Sequence, residues 1–304
     1  FGAVIAFTGV LAAGLTGYYG YSASRQMLLD AAEERLLTAT RVLARQLTLE
    51  LGNVARDVLL FAEHPVAAQL LLRSDPQLQE RTARNTAILF ERMLLTHPQY
   101  FQMRLIDTDS YGQEVVRVDR LRDGVRRVPE AELQEKGHTP YVYETIRLPR
   151  GSVYVSRASI NHEVGAHMGS EKPVLQMAAP VLDAQQQVRG VIVVNVDLEG
   201  LFQQLAADLP AGLQLYLMNG QGDYLIHPDK AKAFAFDRGQ QARVPEDFPA
   251  ANALLAEPPQ RKTELVTHVG GRSGQVAAFV RQPRGDLAIE EDFIVGLAQP
   301  MDQV

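Results

Sequence analysis

The chain has 304 residues, enough for two domains that each bury a core of their own. Its 36 acidic and 30 basic residues leave a net charge of -6 with no long basic run, which argues against nucleic acid as a partner. It contains no cysteine, which excludes zinc ribbons, disulfide scaffolds and thiol nucleophiles.

Residues 1–21, F-G-A-V-I-A-F-T-G-V-L-A-A-G-L-T-G-Y-Y-G-Y, carry no charge, and three tyrosines close the run before Arg25. About 20 apolar residues span a bilayer as a helix, and tyrosine favours the interface. Residues 1–22 therefore read as a membrane anchor. A cleaved signal peptide ending near Ser22-Ala23-Ser24 is the alternative; the length of the run and the helix that follows favour the anchor.

From Ser24 to about Glu63 there is no proline and a single glycine, Gly52. Apolar residues recur in steps of three and four at Ala32, Leu36, Ala39, Leu43, Leu47, Leu51, Val54, Val58 and Phe61, which marks one stripe of a long helix. About 40 residues at 1.5 Å each reach roughly 60 Å. Such a helix packs lengthwise on the chain's own domains over part of its length and against a partner helix in a homodimer over another part. Pro65 interrupts the pattern and a short helix follows to Arg73. Asp75-Pro76 then has the form of an N-cap with proline at the first helical position, and that helix ends near His97-Pro98. Residues 23–99 are thus expected to form a helical stalk with further helices.

From Tyr100 the grammar changes to strands and turns. Y-F-Q-M-R-L-I-D (100–107) and Q-E-V-V-R-V-D-R (113–120) flank a turn ending in Gly112. A polar excursion covers residues 121–148. The strands V-Y-V-S-R-A-S-I (153–160), P-V-L-Q-M-A-A-P-V-L-D (173–183) and R-G-V-I-V-V-N-V-D-L (189–198) follow, and the last leads into the amphipathic helix E-G-L-F-Q-Q-L. Five antiparallel strands with helices on one side are expected. The hairpin pattern recurs at residues 213–229, about 112 residues on, and strands at 264–269, 275–283 and 291–302 match the later ones. A duplicated module is the inference.

Between two of these strands lies N-H-E-V-G-A-H (161–167), which nearly spells the zinc-peptidase signature. That signature needs histidines at i and i+4 on one helix face. Here His162 and His167 are five apart, so on a helix they would diverge by about 140°, and Gly165 disfavours a helix interior. No metal is expected, and no cofactor. No nucleophile elbow, P-loop or dinucleotide fingerprint occurs, so no catalytic residues are assigned. His227-Pro228-Asp229 reads as a turn.

Four segments carry a resemblance to the double Cache family of extracytoplasmic sensors, also described as tandem PAS-like domains. They are R-L-I-D with G-Q-E-V-V-R (104–107, 112–117), Y-V-S-R with N-x-E-x-G (154–157, 161–165), P-V-L-x-x-A-x-P-V-x-D (173–183) and R-G-V-I-V-V-N-V-D-L (189–198). N-G-x-G-x-Y-L-x-H-P-D (219–229) in the second half is also similar to the family. The resemblance covers about residues 24–304. It implies an α+β fold, a long N-terminal helix followed by a membrane-distal Cache module (100–205) and a membrane-proximal one (206–304), both with antiparallel sheets. It further implies a periplasmic sensor in a bacterial inner-membrane receptor, with a small molecule held in the distal module and a second membrane helix after Val304. The output would be a histidine kinase, a diguanylate cyclase or a chemotaxis region. Family members that bind amino acids grip the carboxylate with arginine and a Trp-Tyr pair and the amine with a late-strand aspartate. This chain has Asp197 at that last position and no tryptophan.

The candidate ligand residues are Arg104, Arg117, Tyr143, Tyr154, Arg157, Asn161, Gln176, Asn195 and Asp197. Three arginines in three strands can lie on a solvated face, converge on an anion, or pair with internal carboxylates such as Asp107 or Glu114. Asn195 and Asp197 are two apart and share a strand face. Tyr141, Tyr143 and Tyr154 offer ring surface and a hydroxyl. Gln176 is a polar group between Leu175 and Met177, and Asn161 with Glu163 lies where a loop would cover the pocket. A small molecule, anionic or amino-acid-like, is the expected partner. Two alternatives are a module that reads a periplasmic binding protein, and a secreted metal-dependent hydrolase built on residues 161–167.

Overall fold

A computed structural model describes residues 2–72, 75–160, 173–207, 209–210, 212–258, 260–270, 274–282, 288–289 and 292–301; for residues 2–13 and 288–289 the description is of backbone alone. Helix α1 (Gly2–Ala62) is continuous over 61 residues, about 90 Å at 1.5 Å per residue. Its expected apolar stripe is the buried one: Leu36, Leu43, Leu47, Leu51, Val54 and Val58 are each under 5% exposed. Residues 14–28 of the same helix are exposed throughout. Among the described residues no helix is long and apolar enough to cross a membrane.

Helix α2 (Pro65–Leu71) begins at the expected proline, with His64 Nδ1 accepting from Val66 N at 3.2 Å. Helix α3 (Pro76–Thr96) is capped by Asp75, whose Oδ2 accepts from Leu78 N at 3.3 Å, and it stops at His97 as the sequence predicts. At that stop the Tyr100 hydroxyl donates to Asp57 Oδ2 at 2.7 Å and so ties α1 to the first strand.

The first seven strands are β1 (Tyr100–Asp107), β2 (Gln113–Leu121), β3 (Gly124–Arg127), β4 (Tyr154–Val155), β5 (Ser159–Ile160), β6 (Pro173–Leu182) and β7 (Val188–Asp197). Helix α4 (Pro140–Tyr143) lies between β3 and β4, and α5 (Leu198–Ala207) follows β7. The second half supplies β8 (Gln214–Asn219), β9 (Tyr224–Ile226), β10 (Glu264–Val269), β11 (Gln275–Gln282), β12 (Ala288–Ile289) and β13 (Phe293–Pro300). They form two sheets, ordered β12-β4-β6-β7-β1-β2-β3 with β5 beside β6, and β10-β11-β13-β8-β9.

The first sheet therefore has eight strands where five are expected from the sequence. One of the extra strands, β3, lies inside the excursion at 121–148, where Gly124 lets the chain turn back on β2. The stretch 153–160 is not one strand: it breaks into β4 and β5, because Ser156 bonds β6 through both its backbone and its hydroxyl. The last addition, β12, arrives from the second half and pairs in parallel with β4.

Each sheet buries one face against α1. Met103, Leu105, Val116, Leu175, Met177, Ile192 and Val194 of the first sheet share one continuous core with Leu217, Val276, Val280, Val295 and Leu297 of the second. The opposite faces are covered by the chain's own excursions. In the first module α4 and its neighbours lay Tyr141 and Val142 over Ile106, Ala178, Val191 and Val193. In the second, Val244, Phe248, Ala251 and Leu254 lie over Tyr216, Met218 and Phe279.

Candidate functional site

On the covered face of the first sheet, alternation puts polar side chains where a core would ordinarily be apolar. Gln102 and Arg104 on β1 face the same way as residues two apart must. Gln102 stands opposite both Asp119 on β2 and Asn195 on β7, and Arg104 stands opposite Arg117. All of these side chains, and Glu114, are buried, with Arg104 and Asn195 fully so.

Six of these residues close a ring. Asn195 Nδ2 donates to Gln102 Oε1 at 3.0 Å, and Gln102 Nε2 donates to Asp119 Oδ1 at 2.8 Å. Arg117 forks onto Asp119, with Nε and Nη2 each 2.9 Å from a carboxylate oxygen, and its Nη1 is 3.6 Å from Glu114 Oε2. Arg104 Nη1 donates to Glu114 Oε1 at 3.3 Å, and its Nη2 donates to Asn195 Oδ1 at 3.1 Å. Two guanidinium groups and two carboxylates balance in charge, so the ring is held without a net buried ion. Buried ions that are each hydrogen-bonded lose far less on leaving water than isolated ones would.

The excursion fastens onto this ring. Tyr141 lies over Arg104, its ring centroid 5.1 Å from the guanidinium carbon, and its hydroxyl accepts from Arg104 Nη1 at 2.9 Å. Gln134 N donates to Glu114 Oε2 at 3.1 Å. What holds Gln134 there is a backbone clamp: Lys136 N donates to Gly112 O at 2.7 Å and Gly137 N to Tyr111 O at 3.2 Å. Gly112 has φ +74°, and a Cβ there would collide with the Gly137 backbone.

Of the residues expected from the sequence, Arg104, Arg117 and Asn195 belong to the ring. Gln176 stands opposite Asn195 in register, half-buried, and among the described residues its side-chain amide has no hydrogen-bond partner. Tyr154 is buried on the same face at β4. Arg104 pairs with Glu114, one of the internal carboxylates anticipated for it. The other expected residues are not members of the ring. Arg157 is exposed between β4 and β5. Tyr143 is 37% exposed, with the Arg147 guanidinium 5.9 Å from its ring. Asp197 accepts from Gly200 N at 3.2 Å and so caps α5. Asn161 and Glu163, with His162 and His167, lie outside the described residues.

Gln102 and Asp119 are ring members that the sequence reading did not single out. The signal for them was present: Q-x-R on β1 and R-x-D on β2 repeat with period two beside it. No group of histidine, aspartate or glutamate residues among the described ones could hold a metal ion.

The matching face of the second module carries a smaller cluster. Tyr224 Oη donates to Asp247 Oδ2 at 2.9 Å, Lys232 Nζ donates to Asp247 Oδ1 at 2.5 Å, and His227 Nε2 is 3.4 Å from Asp247. His227-Pro228-Asp229 is the expected turn, with Asp229 N donating to His227 Nδ1 at 2.9 Å. Burial pushes the Tyr216 hydroxyl up to about 12, and the Asp247 charge adds to this. Burial also lowers the His227 imidazole below its ordinary value, helped by the Lys232 ammonium and opposed by Asp247. Burial raises the Asp247 carboxyl, but the bonds from Lys232 and Tyr224 outweigh it and leave it below the usual carboxylate range.

A long helix serving as the floor of two PAS-like modules, each with one covered polar-bearing face, is the architecture of a tandem extracytoplasmic sensor. Residues 56–256, more than half of the chain, match the family model for the bacterial histidine kinase sensor domain, and the chain belongs to that family. Membership implies a periplasmic location. Solved structures agree in fold. A domain of a sensory box/GGDEF family protein from Vibrio parahaemolyticus superposes with a TM-score of 0.72 at 15% identity, covering 90% of this chain and 98% of that one. The extracellular domain of a histidine kinase gives 0.70 at 15% identity, covering 90% and 93%. The ligand-binding domain of the Pseudomonas aeruginosa amino acid chemoreceptor PctB, in complex with L-Arg, gives 0.55 at 15% identity, covering 90% and 97%. No curated protein matches the sequence.

The His227 shift predicts a pH dependence. An imidazole held below its unfolded value near 6.5 is protonated first in the unfolded chain, so stability is lost as pH falls through that value. The shift of Asp247 adds a further loss near and below pH 4. The melting temperature should fall between pH 7.5 and 5.5, and His227→Gln should reduce that fall; an unchanged slope in the variant would show that His227 does not contribute.

Proposed function

We propose that this chain is the ligand-sensing region of a bacterial inner-membrane signal transducer, a histidine kinase, a diguanylate cyclase or a chemoreceptor. Residues 1–22 anchor it, residues 100–205 form the membrane-distal module and residues 206–304 the membrane-proximal one. A small molecule binds on the covered face of the distal module, and the resulting displacement passes through the proximal module and the long helix to the membrane.

The observation that carries this reading is the closed ring from Asn195 to Arg104. A buried, hydrogen-bonded network that is neutral overall can exchange one internal partner for a ligand group without leaving a charge unpaired. A ligand with an acceptor at one end and a donor at the other, such as an amino acid or a hydroxy acid, suits it best: the acceptor takes a guanidinium and the donor takes Glu114 or Asp119. That PctB was solved with L-Arg is in keeping with this class. Gln176 and Tyr154 flank the ring on the same face and would contact the same molecule. Binding signals only if the ligand favours one conformation over another.

The test is a thermal-shift screen of the purified chain against organic acids, amino acids, amines and nucleobases. A hit at about 100 times its Kd adds about 2.7 kcal/mol of stability. Gln176→Ala, which removes no described bond, should leave unliganded stability within about 0.5 kcal/mol while weakening the hit about tenfold. Absence of any shift across the four classes would refute the reading.

The homodimer is proposed on the exposed side of α1. Tyr21, Leu28, Val42 and Leu49 are all more than half exposed and fall at multiples of seven residues, with Arg35 in the same register. A seven-residue apolar repeat is the seam of paired helices. Sedimentation of Val42→Glu/Leu49→Glu should show monomer at concentrations where the unaltered chain is dimeric; equal behaviour of the two would remove the seam.

A further inference from the structure

The edge of the first sheet that flanks the candidate site is not held by the first module alone. Strands β4 and β5 have two residues each, and both lean on β6, with Tyr154 opposite Ala178 and Ser159 opposite Val174. Two-residue strands on one neighbour have little stability of their own. The second module grips each of them. Ala288 and Ile289 of β12 pair in parallel with Tyr154 and Val155, which covers the free edge of β4. At β5, Asp237 Oδ2 accepts the backbone N–H of Ile160 at 2.6 Å.

Both grips are rooted in the second module. Strand β12 lies on the connection from β11 to β13, adjacent strands of the second sheet whose inner faces share the α1 core. Asp237 sits in the turn Ala235–Arg238, which Phe234 opens at φ +52° with its N–H donating to Tyr224 O at 2.8 Å. Arg238 braces that turn by donating to Ala231 O and Ala233 O at 2.7 and 2.9 Å. On the first-module side, Ser156 between β4 and β5 bonds Gln176 twice: its N–H donates to Gln176 O and its Oγ accepts from Gln176 N, both at 2.9 Å. Tyr154 and Gln176 are thus joined to the gripped edge by backbone bonds.

We propose that Asp237 and β12 form a two-point clasp through which the second module reads the β4–β5 edge of the first, so that a change at Tyr154 or Gln176 reaches β11 and β13. This deepens the ligand-sensing reading and rests on it for its purpose. The coupling itself is testable in ligand-free protein, so a failed ligand screen leaves the clasp standing and a failed clasp leaves the ligand site standing.

The experiment is hydrogen exchange on the whole chain, comparing Tyr154→Leu in the intact protein and in an Asp237→Ala/Ile289→Pro background. With the clasp intact, Tyr154→Leu should change exchange about threefold or more at residues 280–282 and 293–295, as coupled sites do. In the clasp-broken background the same substitution should leave those residues unchanged and act only on β4 to β6. If Ile289→Pro prevents folding, Asp237→Ala alone serves as the background, with the coupling reduced rather than abolished. Equal effects in both backgrounds, or no effect in the intact protein, would overturn the proposal.

Discussion

The apolar stripe from Leu36 to Val58 on α1 is the constraint on which the rest of the molecule depends. Because one helix forms the floor of both sheets, Leu43 and Leu47 belong to the same core as Met177 of the first sheet and Val295 of the second. Sheets packed on a shared rigid element cannot shift independently, since close-packed cores transmit displacement rather than absorb it. The floor also decides where function can reside. With the inner faces filled by α1, each module has only its outer face for chemistry, and there the sequence departs from apolar alternation.

In the first module that departure is the ring around Arg104. Six polar side chains deep in a sheet would be strongly destabilising if any were left alone, and here each is answered by a neighbour on the adjoining strand. The excursion over the face does more than shield it. The Gly112–Gly137 contact sets the excursion's height, and Gln134 and Tyr141 then bond to Glu114 and Arg104. A site built this way is preorganised by its own backbone, and its neutrality makes partner exchange, rather than simple anion capture, the chemistry it favours.

Much of this was legible in the sequence, for local reasons. Steps of three and four gave α1, Asp75-Pro76 gave the start of α3, and period two gave β1, β2, β6 and β7. Strand alternation put Asn195 and Asp197 on one face, whereas the meeting of Arg104, Arg117, Asn195, Gln176 and Tyr154 on one side of the sheet depends on the register between strands. What escaped depends on distant contacts. Nothing near Ala288 announces a strand, because its partner Tyr154 is far away in sequence. Arg157 is three residues from Tyr154, so even a straight strand would have set it on the other face, with Val153 and Val155; past the break at Ser156 it is exposed. Asp197 could have been read differently, since an aspartate directly before an amphipathic run is an N-cap signal.

The central claim is that the ring on the first module's covered face is where the ligand acts. Its most direct test is to follow the guanidinium Nε–H resonances of Arg104, Arg117 and Arg189 during titration with a compound found by the thermal-shift screen. Arg189 is bound to Asp183 at the opposite end of β7 from Asn195, outside the ring, and serves as the internal control. The account predicts that Arg104 and Arg117 shift together while Arg189 stays fixed. A titration that leaves Arg104 and Arg117 unchanged would contradict it.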